Sequence, residues 1–363
     1  MNNKNYQWLQ FNGNHSAAII LGMGPQALFL VRILSEQFET VYLVGKKNWI
    51  GYLSRYGKKK IAQDNELKDV LADILERHGN NIPIFVSGGS TLRYYIQNEY
   101  LHTLNCYPKP LSALKILNDK AKLYKFVESM NFSMDLLKPI TFKETIDHPF
   151  PLILKWRSEP DIKIFKTLVI NNEREYKNTF IENFKYNENL ILQRYIENNT
   201  TLAYGAYCLK GYPNCEVVLH HFRRVTNGLS NLVKQYKGKY RTQIIDFCRN
   251  IIHYFNYTGF IEFEFIEDKD NDLLYLMECN PRPWGTIEYL KFANNNGKSY
   301  VMVNINREIY YLYKSGLRNI KLNLIKRLPH YMMYYKAIWQ PSDPLPFFGQ
   351  IMNAINKNTN NNG

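Results

Sequence analysis

Five residues of this 363-residue chain combine the right types and spacing for chemistry: Glu262, Glu264, Glu278, Asn280 and Arg282. In the stretch GFIEFEFIEDKDNDLLYLMECNPRPW, Phe260, Glu262, Glu264 and Ile266 alternate with Ile261, Phe263 and Phe265, the period of a strand with two unlike faces. A polar turn at Asp268 to Asp272 separates this run from a second apolar one, Leu273 to Met277, which leads into Glu278-Cys279-Asn280-Pro281-Arg282. Two adjacent antiparallel strands would set the acidic face of the first beside Glu278 and Asn280. All of these donors are oxygens, which suits a hard cation such as Mg²⁺, held by one or two carboxylates with its other positions left to water and phosphate. Pro281 ends the strand, and Arg282 then offers a fixed fork of donors where phosphoryl oxygens would lie. A surface hairpin with a solvated acidic face shows the same alternation. It gives no reason for Glu-x-Asn-x-Arg to follow, so we read a metal–phosphate site.

The elements that must position these residues can be followed from the start of the chain. Ala17 to Leu21 is an apolar strand running into Gly22-Met23-Gly24-Pro25-Gln26-Ala27, and an apolar helix follows through Phe38. The next strand, Val41 to Val44, ends on Gly45-Lys46-Lys47 rather than on the acidic residue that usually holds the ribose of NAD. Pro25 removes an N–H from the helix start where a pyrophosphate would dock, so the glycines read as packing residues. Asp64 opens a helix with Leu67, Val70, Leu71, Ile74 and Leu75 on one face, Gly79 closes it, and Ile82 to Val86 is another short strand. This βα alternation predicts a parallel sheet to about residue 110. A single helix is expected over Ser112 to Met130, then strands at Phe150 to Lys155, Thr167 to Ile170 and Leu190 to Ile196. Further strands at Leu202 to Leu209 and Glu216 to His221, and a helix at Gln243 to Phe255, deliver the chain to Gly259. His220 and His221 are neighbours in a strand, face opposite ways and cannot share an ion. Helix is expected from Met302 to Tyr313, and an unstructured Asn-rich end from Asn356.

The strand glutamate followed by Glu-x-Asn-x-Arg resembles the metal-binding signature of the ATP-grasp superfamily, and Trp284-Gly285 is most similar to its branch of predicted ATP-dependent carboligases and carboxylate-amine ligases. The resemblance implies an α/β and α+β protein: a Rossmann-like pre-ATP-grasp domain over 1–110 and a two-lobed ATP-grasp fold over 111–295, beyond which the sequence itself reads as a helical extension over 296–363. It implies Mg²⁺ or Mn²⁺ on Glu264, Glu278 and Asn280, with Glu262 the alternative to Glu264, and Arg282 against a phosphate or the transition state. By the same resemblance Lys120, Lys155 and Lys166 would meet ATP, and Gln193, Arg194, Tyr195 and Ile196 would form the adenine hinge by position. Thr200 stands where several members carry a ribose-binding glutamate. Arg224, ahead of Arg223, matches the basic segment that binds an acyl-phosphate or carboxylate. The loop Trp156 to Lys163 departs from the pattern, because it contains none of the glycines that often fold over the triphosphate, although Arg157 and Lys163 could supply charge there. The implied reaction is ATP-dependent formation of an acyl-phosphate, followed by attack of an amine or similar nucleophile.

Composition narrows the alternatives. A chain of this length buries a sizeable core and divides into two or three subdomains. Its five cysteines are scattered, form no CxxC pair and read as reduced, buried thiols. No apolar run is long enough to span a bilayer and the start lacks a signal-peptide layout, so a cytoplasmic protein is expected. The net charge of +14 suits ATP with an acidic co-substrate: a small-molecule, anionic glycan or peptide carboxylate, joined to an amine. A homodimer is left open. An NADP-dependent reductase built on Gly22 and Gly24 leaves Glu-x-Asn-x-Arg unexplained, and a nucleic-acid binder lacks a recognisable module. An ATP-binding module without ligase activity is the remaining rival.

Overall fold

The computed structural model describes residues 9, 15–47, 49–140, 143, 147–160, 165, 167–225, 229–293, 301–303, 335–336, 338–350 and 352, with main chain alone at 184, 222–225, 229–231, 301–303 and 335–336. Of the residues singled out above, Lys163, Lys166 and the Asn-rich end from Asn356 lie outside these.

The first domain alternates strand and helix: β1 (Ala17–Leu21), α1 (Pro25–Leu34), β2 (Thr40–Gly45), β3 (Lys58–Ile61), α2 (Leu67–His78), β4 (Ile84–Val86), α3 (Gly89–Gln97) and β5 (Cys106–Tyr107). All neighbours in its five-stranded sheet are parallel, in the order β3-β2-β1-β4-β5. The chain leaves β1 toward one edge and returns at β4 toward the other. The crevice between their carboxyl ends is therefore the switch point where such sheets bind ligands. Helix α2 begins at Leu67 rather than Asp64, and Gly79 closes it at φ +87°, a conformation costly for any residue with a Cβ.

The expected single helix over Ser112 to Met130 is two, α4 (Leu111–Leu117) and α5 (Lys120–Ser129). Asp119 breaks it: its carboxylate accepts the Ala121 and Lys122 N–H groups at 2.9 and 3.2 Å, capping α5. After β6 (Asp135–Leu136), a small lobe is formed by β7 (Leu152–Trp156), β8 (Thr167–Ile170), α6 (Glu173–Asn183) and β9 (Leu190–Arg194), in an antiparallel sheet ordered β8-β7-β9.

The large lobe is an eight-stranded sheet. It contains β10 (Asn199–Leu209), β11 (Tyr212–Val225), β12 (Leu229–Gln235), β13 (Gly259–Asp268), β14 (Leu273–Asn280), β15 (Val301–Val303) and β16 (Tyr335–Lys336), with β6 at one edge. Helix α7 (Arg241–Tyr254) lays Ile244, Phe247, Cys248 and Ile251 into the core with Ile261, Phe263 and Phe265 of β13. Each fully buried phenylalanine contributes about 1.5–3 kcal/mol by leaving water. Residues 301–303, expected to be helical, instead pair with β12, so part of the extension completes the sheet; 304–313 lie outside the described residues. A segment at 338–350 returns to the first domain, where Asp343 meets Arg32 of α1. Two lobes behind a Rossmann-like domain is the architecture expected from the sequence.

Candidate active site

Strands β13 and β14 pair so that Glu262 faces Asn280 and Glu264 faces Glu278. Below them Phe265 pairs with Leu276, leaving Met277 as an extra residue in β14. This bulge is what makes the face. In β14, Leu274 and Leu276 point into the core, as does Cys279. A regular ladder would therefore carry Glu278 and Asn280 to the core side, and one inserted residue turns them back beside the glutamates. The bulge is pinned by Tyr124 of α5, whose hydroxyl donates to Met277 O at 2.6 Å, while Gln193 Nε2 reaches the same hydroxyl at 3.2 Å.

Entry to β13 is equally constrained. Gly259 has φ +130°, and a Cβ there would lie 2.8 Å from Pro108 Cα, because the linker from the first domain crosses at this point. Lys109 and Thr258 exchange two main-chain hydrogen bonds across the crossing, at 2.8 and 2.9 Å.

Asn280 Nδ2 donates to Glu262 Oε2 at 3.1 Å and approaches Glu278 Oε1 at 3.5 Å, and its Oδ1 accepts from Arg282 Nη2 at 3.1 Å. Arg282 is further fixed through Nη1 to Pro283 O at 3.1 Å. Its buried Nε has no hydrogen-bond partner among the described residues. Trp284 anchors this turn, for its ring lies so close to Gly205, the residue opposite Glu262 on β10, that any Cβ there would strike it. Glu262 is the buried member of the set, 5% exposed, whereas Glu264 and Glu278 are half-buried. Burial first, and then the neighbouring Glu264 carboxylate, push the Glu262 carboxyl well above the usual carboxylate range.

Lys120 Nζ lies 2.7 Å from Glu278 Oε2. It is the first residue of α5, where a positive charge opposes the helix dipole, so the ion pair rather than the helix accounts for its place. Lys155, on β7 and 7% exposed, faces the same cleft of about 160 Å³, whose walls include Lys120, Glu159, Glu278, Asn280 and Arg282. Arg157 turns away from the loop it was expected to charge: its guanidinium binds Asp119 at 2.9 Å. No cluster of three or more His, Cys, Asp or Glu side chains in metal-holding geometry occurs among the described residues. The face instead offers two opposed carboxylates and the Asn280 amide, whose nitrogen faces them and whose oxygen would replace it on turning the amide over. That set fits an ion completing its shell with phosphate and water.

The proposed hinge is further from side-chain chemistry. Gln193 is buried and bonded to Tyr124 and Leu137 O, and Arg194 binds Asp268 at 3.0 Å. The Tyr195 N–H donates to Pro151 O at 3.0 Å, and Ile196 O accepts from Asn199 at 2.6 Å, so these two main-chain groups are already in use. Arg224 lies on β11 opposite Ser230, with its side chain outside the described residues. His220 and His221 occupy consecutive positions on β11, and burial lowers the pKa of His220. In the first domain Trp49 packs against Gly22 and Gly24, its ring 3.7–3.9 Å from where their Cβ atoms would be. The indole covers the turn that a dinucleotide pyrophosphate would need. All five cysteines are free and buried, and no described helix is long and apolar enough to cross a membrane.

The site residue that sequence reasoning missed is Glu159. Its carboxylate sits against Gly89 at the start of α3, and its carbonyl accepts from Arg93 Nη1 at 2.8 Å. The one signal was negative, an acidic residue in a loop where glycine was expected.

No family model and no curated protein sequence matches the chain. Solved structures do. The biotin carboxylase domain of Hydrogenobacter thermophilus 2-oxoglutarate carboxylase, in complex with MgADP, ADP and bicarbonate, matches with a TM-score of 0.58 at 13% identity, covering 79% of this chain and 71% of that one. N5-carboxyaminoimidazole synthetase of Staphylococcus aureus, complexed with ADP, gives 0.58 at 15% identity over 85% and 87%. Rhizobium etli pyruvate carboxylase gives 0.59 at 13% identity, covering 77% of this chain but 27% of that protein, so the chain spans about a quarter of its length. At these identities the shared property is the fold: this chain has the two-lobed ATP-grasp architecture behind a Rossmann-like first domain.

Proposed function

We propose that the chain is an ADP-forming ligase that activates a carboxylate with ATP and transfers the acyl group to an amine or similar nucleophile. The observation that supports this best is the single face holding Glu264 opposite Glu278, with Asn280 and Arg282 beside them and Lys120 and Lys155 at the same cleft. Directly opposed carboxylates repel one another, and a cation between them relieves the repulsion. Glu264, Glu278 and Asn280 would hold Mg²⁺ or Mn²⁺, which when bound neutralises phosphate oxygens. Lys155 would meet the α- or β-phosphate, and Lys120 would exchange Glu278 for phosphate as the nucleotide arrives. Lys166 is a further proposed phosphate contact and Arg224 a carboxylate contact. Gln193, Arg194, Tyr195 and Ile196 keep their place as the adenine hinge, through main-chain groups other than the two already bonded.

In the first step a carboxylate oxygen attacks the γ-phosphorus, the bond to the bridging oxygen breaks, and ADP leaves. The amine nitrogen then attacks the acyl carbon, the carbon–oxygen bond to phosphate breaks, and the amine proton passes to solvent. Arg282 would bind the charge developing on the transferring group. A second cavity of about 400 Å³ lies at the carboxyl ends of β1 and β2, with Lys46, Trp49, Ser90, Arg93 and Tyr94 in its wall. It would take the second substrate. The Hydrogenobacter domain holds bicarbonate, so bicarbonate is the first acid to try, ahead of the glycan or peptide carboxylates that the positive charge also suits.

The test is calorimetric titration of Mg·ATP into wild type and Glu278→Ala, with NADPH in parallel. Metal-dependent ATP binding that the substitution weakens at least tenfold, with no NADPH signal, is the expected result. ADP release on adding an acid and an amine then separates a ligase from an ATP-binding module. NADPH binding without any response to ATP would return the glycine turn to the centre of the problem.

A further inference from the structure

The last described residues of the chain share a surface with the corner that follows β2. Residues 345–350 are helical, as is Met352. Leu345, Phe348 and Met352, spaced i, i+3 and i+7, fall on one helix face and are 60, 51 and 56% exposed. The other face turns inward: Pro346 is buried, and the Phe347 ring packs on Trp339 with centroids 5.2 Å apart. Leu53 extends the outer face, being 37% exposed and so close to Gly349 that a Cβ there would overlap it. The joint is well fixed. Ser54 Oγ and the Arg55 N–H donate to Asp343 at 2.8 Å, and Arg55 Nη1 donates to Ser342 O at 3.2 Å. The surround is cationic, for the only charged residues of 46–60 and 338–352 are Lys46, Lys47, Arg55, Lys58, Lys59, Lys60 and the buried Asp343. Exposed Lys47 lies over the Tyr52 ring at 5.8 Å and exposed Arg55 over Tyr56 at 5.7 Å, so a phenol stands beside each charge.

We propose that this surface docks on an anionic lipid bilayer, with Leu53, Leu345, Phe348 and Met352 entering the headgroup boundary and Lys47 and Arg55 meeting lipid phosphates. The two halves of the surface select the occupant between them. A second copy meeting the same patch about a two-fold axis would set these cations against themselves. Nucleic acid answers the charge and leaves the leucines, phenylalanine and methionine in water. An anionic bilayer answers both: it takes apolar side chains without a shaped pocket, places phosphates at the cations and favours tyrosine and tryptophan at its boundary. The buried Asp343 pair acquires a purpose on this reading, since it holds the apolar helix face and the basic corner in one plane of approach. None of the six docking residues lines the nucleotide cleft or the first-domain cavity, so the inference stands apart from the ligase reading.

The experiment sediments full-length wild type, Leu345→Ser/Phe348→Ser and Lys47→Gln/Arg55→Gln with vesicles of phosphatidylcholine alone and with about one-third phosphatidylglycerol added. Wild type is expected to bind the anionic vesicles about tenfold or more tightly than the neutral ones, and added salt to weaken that binding. The serine pair should lose about fivefold or more on anionic vesicles. The glutamine pair should lose a similar factor and show a flatter salt dependence. Circular dichroism and urea midpoints establish that both variants are folded, which their exposed positions favour. Equal binding to the two vesicle types, or none to either, overturns the proposal, as does a folded serine pair that binds like wild type. A wild-type dimer in analytical ultracentrifugation that the serine pair dissolves, with no vesicle binding, would also overturn it and assign the face to a second copy. Polyglutamate bound as tightly as the anionic vesicles, and equally by the serine pair, would overturn it in favour of an acidic protein.

Discussion

Glu264 stands directly across from Glu278, and it does so because Met277 is bulged out of β14 one position earlier. Without that extra residue in the ladder, Glu278 and Asn280 would share the buried side with Leu274, Leu276 and Phe263. A bulge is a local cost in ladder hydrogen bonds, and here Met277 O recovers one from the Tyr124 hydroxyl. The Tyr124→Phe variant should therefore lose stability by about 1–3 kcal/mol, the range for stranding a buried acceptor. It should also bind Mg·ATP several-fold more weakly. Urea unfolding and calorimetry on the same preparation check both. A loss of stability with unchanged nucleotide affinity would show that the bulge does not depend on this bond.

Lys120 and Glu278 form an ion pair in a position that a divalent ion would contest. Removing Lys120 frees the carboxylate and also removes a phosphate contact, so the Lys120→Ala variant should move two affinities in opposite directions. Binding of Mn²⁺ alone, followed by electron paramagnetic resonance, is expected to tighten several-fold. Binding of Mg·ATP is expected to weaken about tenfold or more, in keeping with the loss of a charge-assisted contact worth about 1.5–3 kcal/mol. If both affinities fall together, Lys120 is supporting the fold of the site rather than competing within it.

Much of this site was legible in the sequence because a strand with unlike faces announces itself by alternation. Glu262, Glu264, Phe263 and Phe265 needed no tertiary information. The bulge was not legible: Met277 is an ordinary apolar residue, and its displacement follows from what β13 and α5 place around it. The break between α4 and α5 had a local signal in Asp119, a good N-cap in the middle of an apolar stripe, but the stripe continues through it and reads as one helix. Trp49 over the glycine turn, and Glu159 against Gly89, are contacts between segments far apart in sequence, with nothing local to predict them. The corner at Ser54 and Arg55 belongs to the same class, because its partner is Asp343.

Glu262 links the site to pH. Its carboxyl titrates well above the usual carboxylate range, chiefly through burial and then through Glu264, while Arg282 and Asn280 act the other way. A raised value means that the folded protein holds this proton more tightly than the unfolded chain. The stability it contributes is complete below the ordinary carboxylate value of about 4.3 and is lost as pH rises through the higher folded value. Metal-free protein should therefore lose urea resistance with rising pH more steeply than the Glu262→Gln variant. Saturating Mg²⁺ should flatten the wild-type slope, since a cation replaces the proton in screening the paired glutamates. Equal slopes for wild type and variant, without metal, would count against this assignment.

The segment that follows β16 is held to the first domain by one buried ion pair. Asp343 is 1% exposed and Arg32 is 5% exposed, with Arg32 Nε donating to Asp343 Oδ2 at 2.9 Å and its Nη2 to Ile338 O at 3.0 Å. Ser54 Oγ and the Arg55 N–H donate to the same carboxylate, each at 2.8 Å. The corner carrying these donors is itself drawn together by Lys59, whose ammonium donates to Tyr56 O and Gly57 O at 2.9 Å and whose pKa burial lowers. Removing one partner of a buried pair strands the other, so the Asp343→Ala variant should be destabilised by about 3–5 kcal/mol. Ser54→Ala, which leaves the pair intact, should cost about 1 kcal/mol. The apolar double variant Arg32→Met/Asp343→Leu should recover only part of the loss, because it leaves no charge alone but still strands Ser54 Oγ and the Arg55 N–H. Urea midpoints for the four proteins decide it. A loss in Asp343→Ala no larger than in Ser54→Ala would mean that water reaches the pair and that the segment is held by Ile338 and its apolar neighbours instead.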